Sequence, residues 1–116
     1  MLIGELSDRT GISERLLRYY ERVGLLTAER RSNGYREYDD AAEQRVTQIR
    51  ALLAVGLPTR VIGQLLPCAT DTGALRPCPH VLPALQDRLS ELDRRAAELA
   101  TARALLRRTI TDTAPQ

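Results

Sequence analysis

Apolar positions follow two rhythms along the chain. Up to Leu66 they come in short runs broken by glycine, proline and asparagine. From Leu82 to Ile110 they recur at alternating steps of three and four, broken only at Arg103. In the first part, Ile3 and Leu6 stand at helical spacing and Gly11 closes the segment. Ser13 is placed to cap a second helix, from Glu14 to about Arg22, because its hydroxyl satisfies an early backbone N–H. Gly24 falls where a left-handed C-terminal residue belongs. Leu16, Leu17 and Tyr20 share the face that packs on the first helix; Arg15, Arg18, Tyr19 and Arg22 share the other. Two short helices joined by a tight turn predict a helix-turn-helix, in which the second helix is the one that enters a major groove.

The next signal is Asn33-Gly34. Both tolerate φ > 0, so the pair predicts a two-residue type I′ hairpin flanked by Arg31-Ser32 and Tyr35-Arg36-Glu37-Tyr38. Such short strands do not make a free sheet. They fit a wing that lays Arg31 and Arg36 along a nucleic-acid backbone. Asp39 or Asp40 is expected to cap a third helix, with Glu43 completing a capping box and Val46, Ile49, Leu52 and Leu53 as its apolar stripe. Gly56 ends it, and Pro58 pre-shapes a short fourth helix through Leu66, whose Arg60 adds one more phosphate contact. Pro67 breaks the pattern, and residues 68–78 read as a loop.

The second rhythm is that of a coiled-coil seam: Leu82, Leu85, Leu89, Leu92, Ala96, Leu99, Leu106 and Ile110. It predicts a helix beginning at Pro79 or Pro83, ~29 residues and roughly 43 Å along the seam. One helix cannot bury a leucine stripe alone, and a head of ~66 residues is too small to cover it, so a second copy is required. The expected organisation is mainly α: a winged helix-turn-helix head over 1–66, a linker loop over 67–79, a dimerisation helix over 80–110, and a frayed tail over 111–116.

Composition sharpens this picture at one place. All 17 cationic side chains are arginine, and all four tyrosines (Tyr19, Tyr20, Tyr35, Tyr38) fall in one stretch of a chain with no Phe or Trp. Between Arg15 and Arg36 six arginines face two glutamates, more positive than the +2 of the whole chain. A basic patch interleaved with rings beside a glycine turn suits nucleic acid, and arginine is the better bidentate partner for guanine and phosphate. No apolar run approaches the ~20 residues a bilayer requires and no signal-peptide pattern precedes the first helix, so a cytoplasmic protein with no membrane partner is expected. Paired carboxylates, a Ser/His/Asp grouping and a phosphate-cradling glycine loop are all missing from the sequence, which speaks against an enzyme.

The strings Arg18-Tyr19-Tyr20-Glu21, Gly24-Leu25-Leu26 and Arg31-Ser32-Asn33-Gly34-Tyr35-Arg36-Glu37-Tyr38 together resemble the DNA-binding signature of the MerR family of bacterial transcription regulators. The resemblance runs from about Ile3 through Leu66 and resumes more loosely in the last helix. It implies a homodimer with antiparallel long helices, a short form lacking a C-terminal effector domain, and a pseudo-palindromic promoter as partner. The spacer of that promoter would be distorted so that RNA polymerase, an indirect partner, engages both its elements. It also assigns Arg18, Tyr19, Tyr20, Arg31, Tyr35 and Arg36 to DNA, to which the residue pattern adds Arg15, Asn33 and Arg60. Cys68, Cys78 and the only histidine, His80, offer a thiophilic metal ion three ligands, or a reversible disulfide; buried inert thiols in a hinge are the third reading. Two rival functions stay open: an architectural, excisionase-like DNA-bending module, and a coiled-coil adaptor whose basic head binds an acidic protein.

Overall fold

The computed structural model describes residues 1–115, and they form two compact units, Met1–Leu82 and the chain from Pro83 onward. In the first unit, α1 (Ile3–Thr10) ends at Gly11, whose φ of 72° lets its N–H return to the Ser7 carbonyl. Ser13 caps α2 (Glu14–Arg22) as its chemistry dictates, its hydroxyl oxygen accepting from the Leu16 N–H at 3.2 Å. At the far end Gly24 takes φ 83°, its N–H reaches the Glu21 carbonyl and the Leu25 N–H reaches that of Tyr20. This double bond pattern is a Schellman stop, and Tyr20 and Leu25, the two positions whose apolar contact accompanies that motif, are both buried.

A two-stranded antiparallel wing follows, β1 (Glu29–Arg30) and β2 (Arg36–Glu37). Then come α3 (Ala42–Ala54), α4 (Thr59–Leu65) and a 3-10 turn over Leu66–Cys68. α1 packs on α2 and α3, and α3 on α4. The core between them holds Leu6, Leu17, Tyr20, Leu25, Tyr38, Val46, Ile49, Ile62 and Leu65, each nearly or wholly removed from solvent. The predicted Asp40–Glu43 capping box does not form. The residue ahead of α3 is Ala41, with no side-chain cap; Asp39 instead accepts from the Ala41 N–H at 3.1 Å, an Asx turn that bends the chain out of β2. Gly56 stops α3 as expected, with φ 82°.

α5 (Val81–Thr113) begins in the first unit and makes up the second. Pro83 sits in its first turn, the one place a helix accepts it. The helix continues through Thr113, so the residues expected to fray from 111 are helical for one more turn. Its 33 residues correspond to about 50 Å. Ion pairs at helical spacing line its polar side, Arg94 with Glu98 at 2.8 Å and Arg95 with Glu91 at 2.9 Å. Of the predicted seam, Leu85 is half-buried, while Leu82, Leu89, Leu92, Leu99 and Leu106 are 38–64% exposed. Leu105, off the seam, is equally bare. No helix among the described residues is long and apolar enough to cross a membrane.

Candidate nucleic-acid interface

α2 divides its residues nearly as the spacing requires, except that Leu16, expected on the packing face, is only half-buried and lines the outer concavity. Leu17 and Tyr20 are buried, and the opposite face carries Arg15, Arg18, Tyr19 and Arg22 around one open concavity. The Arg22 guanidinium lies 5.5 Å from the Tyr19 ring centroid, a cation–π contact that stiffens both side chains on the exposed face. Arg18 is loosely tethered to Glu14 at 3.9 Å, an exposed pair easily exchanged for a phosphate.

The wing departs from expectation in its register. The Gly34 N–H returns to the Arg31 carbonyl, and the Arg31 N–H pairs with the Tyr35 carbonyl. Only Gly34 of the turn has positive φ, at 84°. The loop therefore has three residues, Ser32 to Gly34, rather than two, and Asn33 keeps negative φ while its side-chain oxygen accepts from the Tyr35 N–H. One extra loop residue slides the pairing by one and exchanges the faces of the first strand. Arg30, not Arg31, stands opposite Arg36, and Glu29 stands opposite Glu37.

Residues opposite one another share a face, so the wing has an arginine face and a glutamate face. Arg31 falls on the glutamate side, ion-paired with Glu37. Arg30 and Arg36 instead line a groove of about 770 Å³ together with Arg18 and the start of α1, and Tyr35, opposite Arg31 where the ladder meets the turn, borders it from the wing tip. Arg18 borders both this groove and the concavity of α2, making one continuous cationic surface.

Behind that surface Glu21 ties helix to wing. Its carboxylate accepts from the Tyr38 hydroxyl at 3.1 Å and lies 3.4 Å from the Arg36 guanidinium. Burial, then the hydrogen bond to Glu21 and its negative charge, push the Tyr38 phenol from 10.0 up to about 12; Arg36 and Arg18 oppose this only weakly. The opening residue joins the same strand: the Met1 ammonium donates to the Tyr38 carbonyl, whose own N–H returns to the Met1 carbonyl at 2.7 Å.

Of the expected DNA residues, the structure brings Arg15, Arg18, Tyr19, Tyr35 and Arg36 onto this surface. Tyr20 is a correction: it is 1% exposed, a core residue whose hydroxyl finds no partner, because with Leu17 it lies on the face of α2 that packs inward. Arg31 is turned to the other side of the wing, and Asn33 is engaged in the turn. Arg60 is exposed on the first turn of α4, outside both grooves. Arg30 and Glu21 were missed. The two-residue register hides the first, and the second enters the sequence reading as a charge and as the end of the Arg18–Glu21 string, with no role assigned, although a carboxylate inside a basic run is itself a signal of a built pair.

The third constellation also assembles. Cys68 and Cys78 form a disulfide, and His80 Nε2 lies 4.0 Å from Cys68 Sγ while donating to the Gln64 carbonyl at 2.8 Å. Among the described residues no group of three His, Cys, Asp or Glu is arranged to hold a metal ion.

Residues 1–68 match the family model described as MerR HTH family regulatory protein, and residues 43–109 the one described as MerR, DNA binding. The chain belongs to the MerR family. It is 34% identical over 106 residues to the HTH-type transcriptional regulator HmrR of Rhizobium leguminosarum bv. viciae, covering 91% of this chain and 81% of that protein. To the nodulation protein NolA of Bradyrhizobium elkanii it is 44% identical over 70 residues, which are 60% of this chain but 32% of NolA. The lead(II) complex of the transcription regulator PbrR691 from Ralstonia metallidurans CH34 superposes with a TM-score of 0.72 at 32% identity, over 96% of this chain and 83% of that one. MerR-type regulators act on DNA as dimers, and in this chain Leu82, Leu89, Leu92, Leu99 and Leu106 of α5 are exposed.

Proposed function

We propose that two copies, joined antiparallel along α5, bind a pseudo-palindromic promoter and distort its spacer, so that regulation follows from DNA shape. One observation carries the reading: Arg18 joins the outer face of α2 to the arginine face of the wing. A recognition helix can then read a major groove while the wing holds the flanking phosphates. Smooth bending of such a site costs about 1–6 kcal/mol, which phosphate contacts from two heads offset. This is a binding protein rather than an enzyme, a reading supported by the arginines and tyrosines that border both grooves.

The test is fluorescence anisotropy with duplexes from the DNA upstream of the coding region, titrated with salt. A log–log salt slope of several units and an affinity lowered at least about tenfold by Arg18→Ala are expected. Salt-independent binding, or Arg18→Ala binding like the parent, would remove the assignment of α2.

The signal is proposed to act at the 68–78 loop. A thiophilic metal ion is one candidate, supported by the lead(II) complex of a relative. The donor set does not fit it in this state, since bonded sulfurs are not thiolates and the His80 Nε2–H is engaged with Gln64. A reversible disulfide is the other candidate, and it is the state the loop adopts.

A further inference from the structure

The 68–78 loop is more than a linker closed by a chance bridge. The Arg76 N–H reaches the Cys68 carbonyl at 2.6 Å, Thr70 and Ala74 pair at 2.7 Å, and Gly73 turns the tip with φ 87°. Gln48 of α3 donates to the Thr70 carbonyl at 3.0 Å, fastening this small hairpin to the head. Immediately after it, the Val81 N–H bonds the Cys78 carbonyl, and Val81 is buried as the first residue of α5. The disulfide therefore links the 3-10 turn after α4 to the segment that anchors the first turn of α5. The backbone ladder holds the two Cα atoms 6.4 Å apart, close enough to close again after opening.

The two sulfurs are not equivalent. Cys68 is 5% exposed, whereas Cys78 is half-buried at the surface of the loop. The exposed imidazole of His80 stands with Nε2 4.0 Å from Cys68 Sγ, and its N–H donates to the Gln64 carbonyl near the end of α4 at 2.8 Å. Disulfide exchange needs in-line access to one sulfur and a stabilised leaving thiolate at the other. Access favours Cys78, and departure of Cys68 is favoured if the His80 N–H, 4.0 Å from its sulfur, turns from the Gln64 carbonyl to the leaving thiolate.

We propose that this loop is a thiol–disulfide exchange site for a small cellular thiol or dithiol, with Cys78 as the attacked sulfur, Cys68 as the leaving sulfur and His80 as a positioning residue. The incoming thiolate RS⁻ bonds to Cys78 Sγ, the Sγ–Sγ bond breaks, and its electron pair leaves on Cys68. A second RS⁻ attacks the R-side sulfur of the mixed disulfide, releasing Cys78 as thiolate and RSSR as product. Two electrons pass from two thiols into the protein, and both protein thiolates then take protons from water. A DNA-binding regulator works where small thiols keep cysteines reduced, and a disulfide there is a transient, sensing one. Opening it loosens the hold on the start of α5, which alters the affinity of the head pair for its operator. This rests on the DNA-binding reading above.

The experiment uses the full chain in oxidised and reduced forms. Brief glutathione treatment, acid quench and peptide mass spectrometry are expected to place the adduct on Cys78; an adduct on Cys68, or one divided equally, overturns the assignment. The His80→Ala protein is expected to open roughly tenfold more slowly while His80→Gln, which keeps an N–H donor, recovers part of the rate; equal rates in all three remove His80 from the site. Operator affinity is expected to differ at least about fivefold between the oxidised and reduced parent and to be indifferent to redox state in Cys78→Ser. Equal affinities in both forms overturn the switch and leave DNA binding intact, whereas no DNA binding in either form overturns the parent reading. Should the Cys78→Ser protein fail to fold, Cys68→Ala, which also removes the bridge, takes its place and is expected to be equally indifferent to redox state.

Discussion

The Tyr38 hydroxyl donates to Glu21 Oε2 at 3.1 Å, joining the strand that carries Arg36 to the helix that carries Arg18. Because Glu21 also meets Arg36, a single carboxylate fixes the wing relative to the recognition helix. Glu21→Ala leaves a buried phenol and a guanidinium without partners and is expected to lower stability by about 1–3 kcal/mol. Glu21→Gln, which can still accept from Tyr38, should lose less. Denaturant unfolding of the two proteins checks the order; equal losses would show the acceptor to be irrelevant.

The same pair sets an alkaline limit. Tyr38 ionises near 10.0 when unfolded and only near about 12 when folded. The unfolded chain thus gives up its proton first, so this contribution to stability is complete below pH 10 and fades between there and about 12. The parent should lose stability faster than Tyr38→Phe across that window, read by urea midpoints at successive pH values. Parallel curves would refute the shift.

Tyr20 gives a prediction of opposite sign. Its buried hydroxyl has no partner, so Tyr20→Phe removes a desolvated dipole while keeping the ring against Leu25 and α1. Stability is expected to rise by up to about 1 kcal/mol, with operator affinity unchanged. A large fall in affinity would return Tyr20 to the DNA surface.

On the wing, Arg30→Ala is expected to flatten the salt slope by about one unit and weaken binding across all sequences. Arg31→Ala, on the glutamate face, should do markedly less. Anisotropy titrations at several salt concentrations separate the two, and the reverse ranking would restore the two-residue hairpin.

This contrast also shows how far the sequence could be read. Ser13, Gly24 and Gly56 announce helix boundaries because hydroxyl capping and left-handed backbone are local demands that few residues satisfy. Spacing marks Leu17 and Tyr20 for the buried face of α2, but it also puts half-buried Leu16 there, and it does not decide between core and DNA for Tyr20. Asn33-Gly34 marks a turn without fixing its length, since the same dipeptide serves a two-residue loop and the end of a three-residue one. That single residue decides which arginine joins Arg36. The Cys68–Cys78 bond was one of several readings, because a spacing of ten does not determine whether a loop folds back; the hairpin through Thr70 and Ala74 does so.

The long helix supplies a further prediction. Leu92 and Leu99 are exposed in one chain, so replacing Leu99 by Asp puts a charge where the second copy packs. Sedimentation should show monomers at micromolar concentration, and operator affinity should fall with dimerisation. A persistent dimer would place the seam elsewhere.

The wing ladder sets Arg30 against Arg36 and Glu29 against Glu37, like charge facing like. Such a ladder repels itself on both faces, opposed by Glu21 beside Arg36 and by Arg31 and the Met1 ammonium beside Glu37. Added salt therefore acts in opposite senses on the two states: it calms the free wing while loosening the grip on a polyanion. Ionic strength, through this one hairpin, becomes a dial on how readily the regulator lets go.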